Sequence, residues 1–110
     1  MFQILDFNIA PNERVVIDDK LKTQYQGITG FTVWTPDHNK LRLINIELKI
    51  DSKEVFPQGF PTEIFSVNPF RNVEDCTLKM DFPQLSRMEG NISNGNNETV
   101  AIKLIFFIKQ

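Results

Sequence analysis

Few side chains in this sequence are of the kinds that make or break bonds. Its 110 residues include one His, one Cys and one Tyr. His38 follows Asp37 in the run Pro36-Asp37-His38-Asn39-Lys40. A histidine beside a carboxylate can act as a general base or as a metal ligand, but a zinc site needs about four ligands. The run reads better as a turn, because Pro presets φ and Asp and Asn side chains bond nearby backbone. His38 is therefore expected as an exposed turn residue. Cys76 needs a neighbouring His or a positive site to become a nucleophile. It falls in phase with Leu78, Met80 and Phe82, which predicts a buried thiol.

The carboxylates are equally sparse in pattern. Calcium takes about six to eight oxygen ligands. Asp18-Asp19 and Glu74-Asp75 each supply too few and read as solvated turns. Glu47 and Glu63 have the residue type of a paired-carboxylate glycosidase site. Glu47, however, fits the polar outer row of an alternating strand. There is no Gly-rich phosphate loop, G-x-S-x-G, C-x-x-C or H-E-x-x-H. No catalytic, cofactor-binding or metal-binding residue is assigned, no cofactor is called for, and a non-enzymatic protein is expected.

Two features point to binding instead. Trp34 and Tyr25 have rings that can stack on a sugar, so a carbohydrate- or ligand-binding module is the second reading. Phe56, Phe60, Phe65 and Phe70 are interleaved with Pro57, Pro61 and Pro69. That segment either plugs one end of the fold or docks on another subunit.

The elements that must carry these residues are strands. The chain has ten Phe, twelve Ile, seven Val and seven Thr against two Ala, a composition suited to pleated, half-buried surfaces. Leu5, Phe7 and Ile9 alternate with Asp6 and Asn8. Arg14–Ile17 is a short strand closed by Asp18-Asp19-Lys20, and the stretch from there to Gly30 is irregular. Phe31–Thr35 is a strand, joined through the His38 turn to the clearest alternation in the chain. There Ile44, Ile46, Leu48 and Ile50 oppose Asn45, Glu47, Lys49 and Asp51, so one side is buried and one is wet. Leu41 and Leu43 have the other phase, which predicts a β-bulge near Leu43–Ile44 within a hairpin. Prolines bar Val55–Pro61 from a central strand. Thr62–Val67 is a short strand, and Cys76–Phe82 is another. Pro83–Glu98 is read as a long polar connection. Its residues Gly90, Asn91, Asn94, Gly95, Asn96 and Asn97 form a projecting loop, with Asn94-Gly95 suited to a type I′ turn.

Thr99–Lys109 is apolar on both faces: Val100, Ile102, Leu104, Phe106 and Ile108 on one, Ile105 and Phe107 on the other. Such a strand is either central or covered by another subunit. About seven strands with Pro and Gly turns predict one domain over residues 1–110. The expected fold is all-β, an antiparallel two-sheet β-sandwich of jelly-roll-like or immunoglobulin-like type.

Twelve basic residues face fourteen acidic ones for a net charge of −2, which disfavours nucleic acid as a partner. No apolar run reaches the length of a membrane span, and the first residues lack the pattern of a signal peptide. A lone Cys76 permits no internal disulfide. The expected chain is made in a cytoplasm and functions as a structural subunit of a homo-oligomer or larger assembly, such as a virion accessory or decoration protein. Its partner surface is expected at Phe56, Phe60, Phe65, Phe70, Ile105 and Phe107.

Overall fold

The computed structural model describes residues 1–56, 61–62, 66–67 and 72–109. Among the described residues, alternating apolar rows become eight strands: β1 Phe2–Ile9, β2 Arg14–Lys20, β3 Ile28–Trp34, β4 Ile44–Ile50, β5 Lys53–Phe56, β6 Leu78–Phe82, β7 Arg87–Asn94 and β8 Val100–Ile108. They form two antiparallel four-stranded sheets, ordered β1-β8-β3-β6 and β2-β7-β4-β5. The pairings nest: β1 with β8, β2 with β7, β3 with β6 and β4 with β5. The chain is thus one long hairpin wound on itself, which also brings β8 beside β3 and β7 beside β4. This is the jelly-roll form of the β-sandwich rather than the immunoglobulin form.

The hairpin tip is Asp51-Ser52, with φ of 51° and 67°. Two successive positive φ values between Ile50 and Lys53, which pair directly, match the type I′ turn that suits the twist of flanking strands. Asp51 is held there because its carboxylate accepts from Arg87 N (2.9 Å) and Ser86 Oγ (3.1 Å).

Ile44, Ile46, Leu48 and Ile50 face inward as their spacing predicts, against Phe31, Leu104 and Phe106 from the other sheet. Phe31 lies at the centre, its ring centroid 5.2 Å from Phe106 and 5.9 Å from Phe56. Gln3 ties the two sheets beside β1. Its side chain donates to Lys20 O and accepts from Lys22 N, both at 2.9 Å.

Several expectations change. Leu41 and Leu43 do not lie in a strand broken by a bulge. His38–Leu43 is a 3₁₀ helix capped by the Asp37 carboxylate, which accepts from Asn39 N at 3.1 Å. The predicted hairpin is a crossover, because β3 and β4 belong to opposite sheets. Asp18 and Asp19 lie within β2 rather than in a turn.

The largest change concerns Pro83–Glu98. It is not a projecting loop. Gly90, Asn91 and Asn94 lie in β7, an interior strand between β2 and β4. Inward phase is kept by Met88, Gly90, Ile92 and Asn94. Gly90 (φ 151°) runs so close to β4 that a Cβ there would stand 1.9 Å from Glu47 O. Asn94 is buried, and its amide donates to Ile9 O (2.8 Å), Ala10 O (3.3 Å) and Glu98 O (2.9 Å). Gly95, Asn96 and Asn97 make a short crossover to β8. It is clasped by Gly95 N on Leu43 O (2.8 Å) and Asn96 Nδ2 on Lys40 O (3.0 Å).

Candidate interaction surface

β8 is central in its sheet, so the first of the two readings of its double apolarity accounts for its edges. Its outer face still carries Ala101, Lys103, Ile105 and Phe107, all half-buried. Because β8 pairs in unbroken register with β1, Phe2 lies opposite Phe107, Ile4 opposite Ile105, and Asp6 opposite Lys103. The Phe2 and Phe107 rings meet edge to face at 5.7 Å, an arrangement the ring quadrupoles favour. Phe2 remains 54% exposed and Ile4 42% exposed. On the other flank Phe107 pairs with Gly30. A Cβ at Gly30 would stand 2.7 Å from the Thr77 methyl and 3.4 Å from the Phe107 ring. Glycine therefore leaves room for the Thr77 methyl and brings Phe107 close to the sheet.

Along the strands the face turns polar. Lys103 Nζ is 3.1 Å from Asp6 and 5.8 Å from the Trp34 ring centroid, so one cation serves both a carboxylate and a π face. Thr32 closes the middle of the face, its hydroxyl donating to Cys76 O at 3.0 Å. At the β6 edge Lys109 pairs with Asp81. The result is an apolar end built by Phe2, Ile4, Ile105 and Phe107, bordered by an ion-paired strip.

Of the residues singled out from the sequence for docking, Ile105 and Phe107 lie in this patch. Phe56 does not; it is fully buried against Phe31, because β5 turns it inward opposite Leu48. Phe60, Phe65, Phe70 and Glu63 lie outside the described residues. Phe2 and Ile4 share the outward phase of Asp6 and Asn8, as Ile105 and Phe107 share that of Lys103, and the β1–β8 register sets the four side by side.

Other candidates are also placed. His38 is not a free turn residue. It is half-buried, with Nε2 2.6 Å from Ser66 Oγ. A serine bonded to a histidine has the first two parts of a nucleophilic triad. Here Ser66 has no exposed surface, and the Asp37 carboxylate caps the 3₁₀ helix, so the pair reads as a structural tie. Cys76 is buried in a 3₁₀ turn, Val73–Cys76, that precedes β6. Asp18 is paired with Arg87 at 2.7 Å. Glu47 faces outward on β4. Tyr25 packs against the core edge, and Trp34 is half-buried beneath Lys103. Among the described residues no three His, Cys, Asp or Glu side chains gather as a metal site. No helix among them is long and apolar enough to cross a membrane. No known family model matches this sequence, and no curated protein matches it.

Proposed function

We propose that this protein is a non-enzymatic structural module whose work is to assemble with other protein subunits through the apolar end of the β1-β8-β3-β6 sheet. One observation carries the reading. Four large apolar side chains, Phe2, Ile4, Ile105 and Phe107, form two directly opposed cross-strand pairs on the outer face of an interior and an edge strand. Scattered exposed apolar residues are ordinary, whereas a contiguous group marks an interaction site. Jelly rolls recur in virus capsids and lectins, and an accessory or decoration protein of a virus particle is the assembly we favour. That last step is an analogy of fold.

Phe107→Ser tests the reading, because Phe107 is only half-buried in one copy. Sedimentation equilibrium should show the native protein above its 12.8 kDa chain mass and the variant at that mass, with an unchanged circular dichroism spectrum. A native protein that stays at the chain mass at tens of micromolar would count against self-assembly. The second reading, a carbohydrate-binding module, rests on the partial exposure of Trp34. It requires Trp34 fluorescence to shift with some member of a glycan panel, and an unmoved emission removes it.

A further inference from the structure

Asparagine has a covalent weakness that depends on its neighbour. The backbone nitrogen of the next residue can attack the side-chain amide, and glycine, with no Cβ, hinders that attack least. The chain has ten Asn, and only Asn94 precedes a glycine. In an unfolded chain Asn94-Gly95 is therefore the pair set up to react. The Gly95 nitrogen, having lost its proton, bonds to Asn94 Cγ. The Cγ–Nδ2 bond breaks, and Nδ2 takes up a proton and leaves as ammonia. Water then opens the resulting succinimide at either carbonyl, giving aspartate or isoaspartate at position 94. The net change is one amide and one water to one carboxylic acid and one ammonia, with no change of oxidation state.

The native fold opposes each of these steps. Gly95 N donates to Leu43 O at 2.8 Å, so the proton of the attacking nitrogen is held. Asn94 Nδ2 donates to Ile9 O (2.8 Å), Ala10 O (3.3 Å) and Glu98 O (2.9 Å). Carbonyls only accept, so none of the three can supply the proton that departing ammonia needs. Asn94 Oδ1 accepts from Asn96 N and Asn96 Nδ2, both at 2.9 Å. The backbone is tied as well, because Asn94 N donates to Glu13 O (3.0 Å) and Asn94 O accepts from Asn12 N (2.8 Å). These bonds keep the side chain from swinging toward Gly95 N. At 1% exposure, Asn94 is also closed to the water that the second step consumes.

We infer that Asn94-Gly95 is a deamidation site that the fold holds latent, and that its conversion is a one-way exit from the native state. This concerns the lifetime of the fold and is independent of the assembly reading. The contacts that protect Asn94 reach the β1–β2 turn, the 3₁₀ helix and the residue before Thr99, so the reaction must wait for that clasp to open. Either product then fits badly. An aspartate has no N–H to give, and one of its oxygens would face the three carbonyls. A buried charge set against acceptors is worse than acceptors that merely lack a donor. Isoaspartate adds one carbon to the main chain between the Asn94–Ile44 pairing and the Gly95 bond to Leu43 O. A chain modified while open therefore cannot close again, which makes its unfolding irreversible.

Peptide mass mapping of the intact chain, incubated with and without urea at one pH and temperature, tests this. In urea, Asn94 should be the first of the ten Asn to gain the mass of an amide turned to an acid. Another Asn converting first overturns the assignment of the site. In native buffer Asn94 should convert more slowly by about a hundredfold or more, and conversion at the urea rate overturns the latency. On dilution from urea, unconverted chains should regain the native circular dichroism spectrum and converted chains should not. Equal refolding of both overturns the one-way exit. Asn94→Asp makes one product directly. Its urea midpoint should lie below that of Asn94→Ala, although Asp is closer to Asn in shape, and a midpoint at or above it overturns the clash with the carbonyls. If neither variant folds, the refolding of converted and unconverted native chains decides.

Discussion

The outer faces of the two sheets are built on the same pleat from opposite materials. On the β2-β7-β4-β5 sheet the outward row is Arg14, Val16, Asp18 and Lys20, then Arg87, Glu89, Asn91 and Ser93, then Asn45, Glu47 and Lys49. Asp18 and Glu89 lie directly opposite one another, a repulsive placement. Arg87 resolves it by binding Asp18 at 2.7 Å and Glu89 at 2.8 Å. Val16, 74% exposed, is a single apolar residue among charges. On the β1-β8-β3-β6 sheet, charge is confined to the Asp6–Lys103 strip and the β6 edge, and the other end is apolar. Both sheets supply apolar side chains to the shared core, so burying that core does not explain the difference between their outer faces. A face that only needs to meet water looks like that of the β2-β7-β4-β5 sheet, and the apolar end of the β1-β8-β3-β6 face is what the proposal of a partner rests on.

The two sheets also differ in how their glycines are used, and substitutions there should separate fold from surface most sharply. Gly90→Ala should destabilise the protein by about 3 kcal/mol, since a side chain is strained at its φ and would strike the β4 backbone. Gly30→Ala should cost about 1 kcal/mol, because the atom it meets is the Thr77 methyl, which can turn aside. Urea denaturation of both variants measures the contrast, and equal costs would mean that the two sheets are equally tolerant. Asn94→Ala comes next. It strips the donors from three carbonyls at the end where the sheets are clasped, and should cost about 2 kcal/mol in the same experiment. Lys103→Ala is smallest. Its ion pair is exposed, so the loss should be about 0.5 kcal/mol. Removing the cation from the Trp34 ring should nevertheless alter Trp34 emission. A loss several times larger would mean that the ion-paired strip is part of the fold rather than a border to the apolar end.

How much of this was legible varies with how strictly a strand follows its pattern. β4 and β8 were plain, because each inward position holds an aliphatic or aromatic side chain. β7 was hidden because two of its four inward positions are Gly90 and Asn94. The first has no side chain to signal burial. The second is polar and buried because three carbonyls, two of them from the far end of β1, converge on it. The Asn94-Gly95 pair has the residue types of a type I′ hairpin turn, whereas the real type I′ tip is Asp51-Ser52, which is held because Ser86 and Arg87 bind the Asp51 carboxylate. Leu41 and Leu43 misled for a related reason: a helix cap at Asp37 produces the same phase break as a bulge. Phe56 was grouped with its neighbours by composition, yet its place on β5 turns it inward. In the interaction surface, the β8 half was read from phase alone. The β1 half needed the register, which places Phe2 and Ile4 beside residues more than a hundred positions away in the chain.

The contrast between faces can be tested with one matched pair of charges. Phe107→Lys and Asn91→Lys each place a lysine on the outer face of an interior strand, one on each sheet. Mass by light scattering, measured across a dilution series, should fall to the 12.8 kDa chain mass for Phe107→Lys. Asn91→Lys should follow the native protein at every concentration. Equal masses for both variants and the native chain would contradict the claim that the apolar end of the β1-β8-β3-β6 sheet exists to be covered.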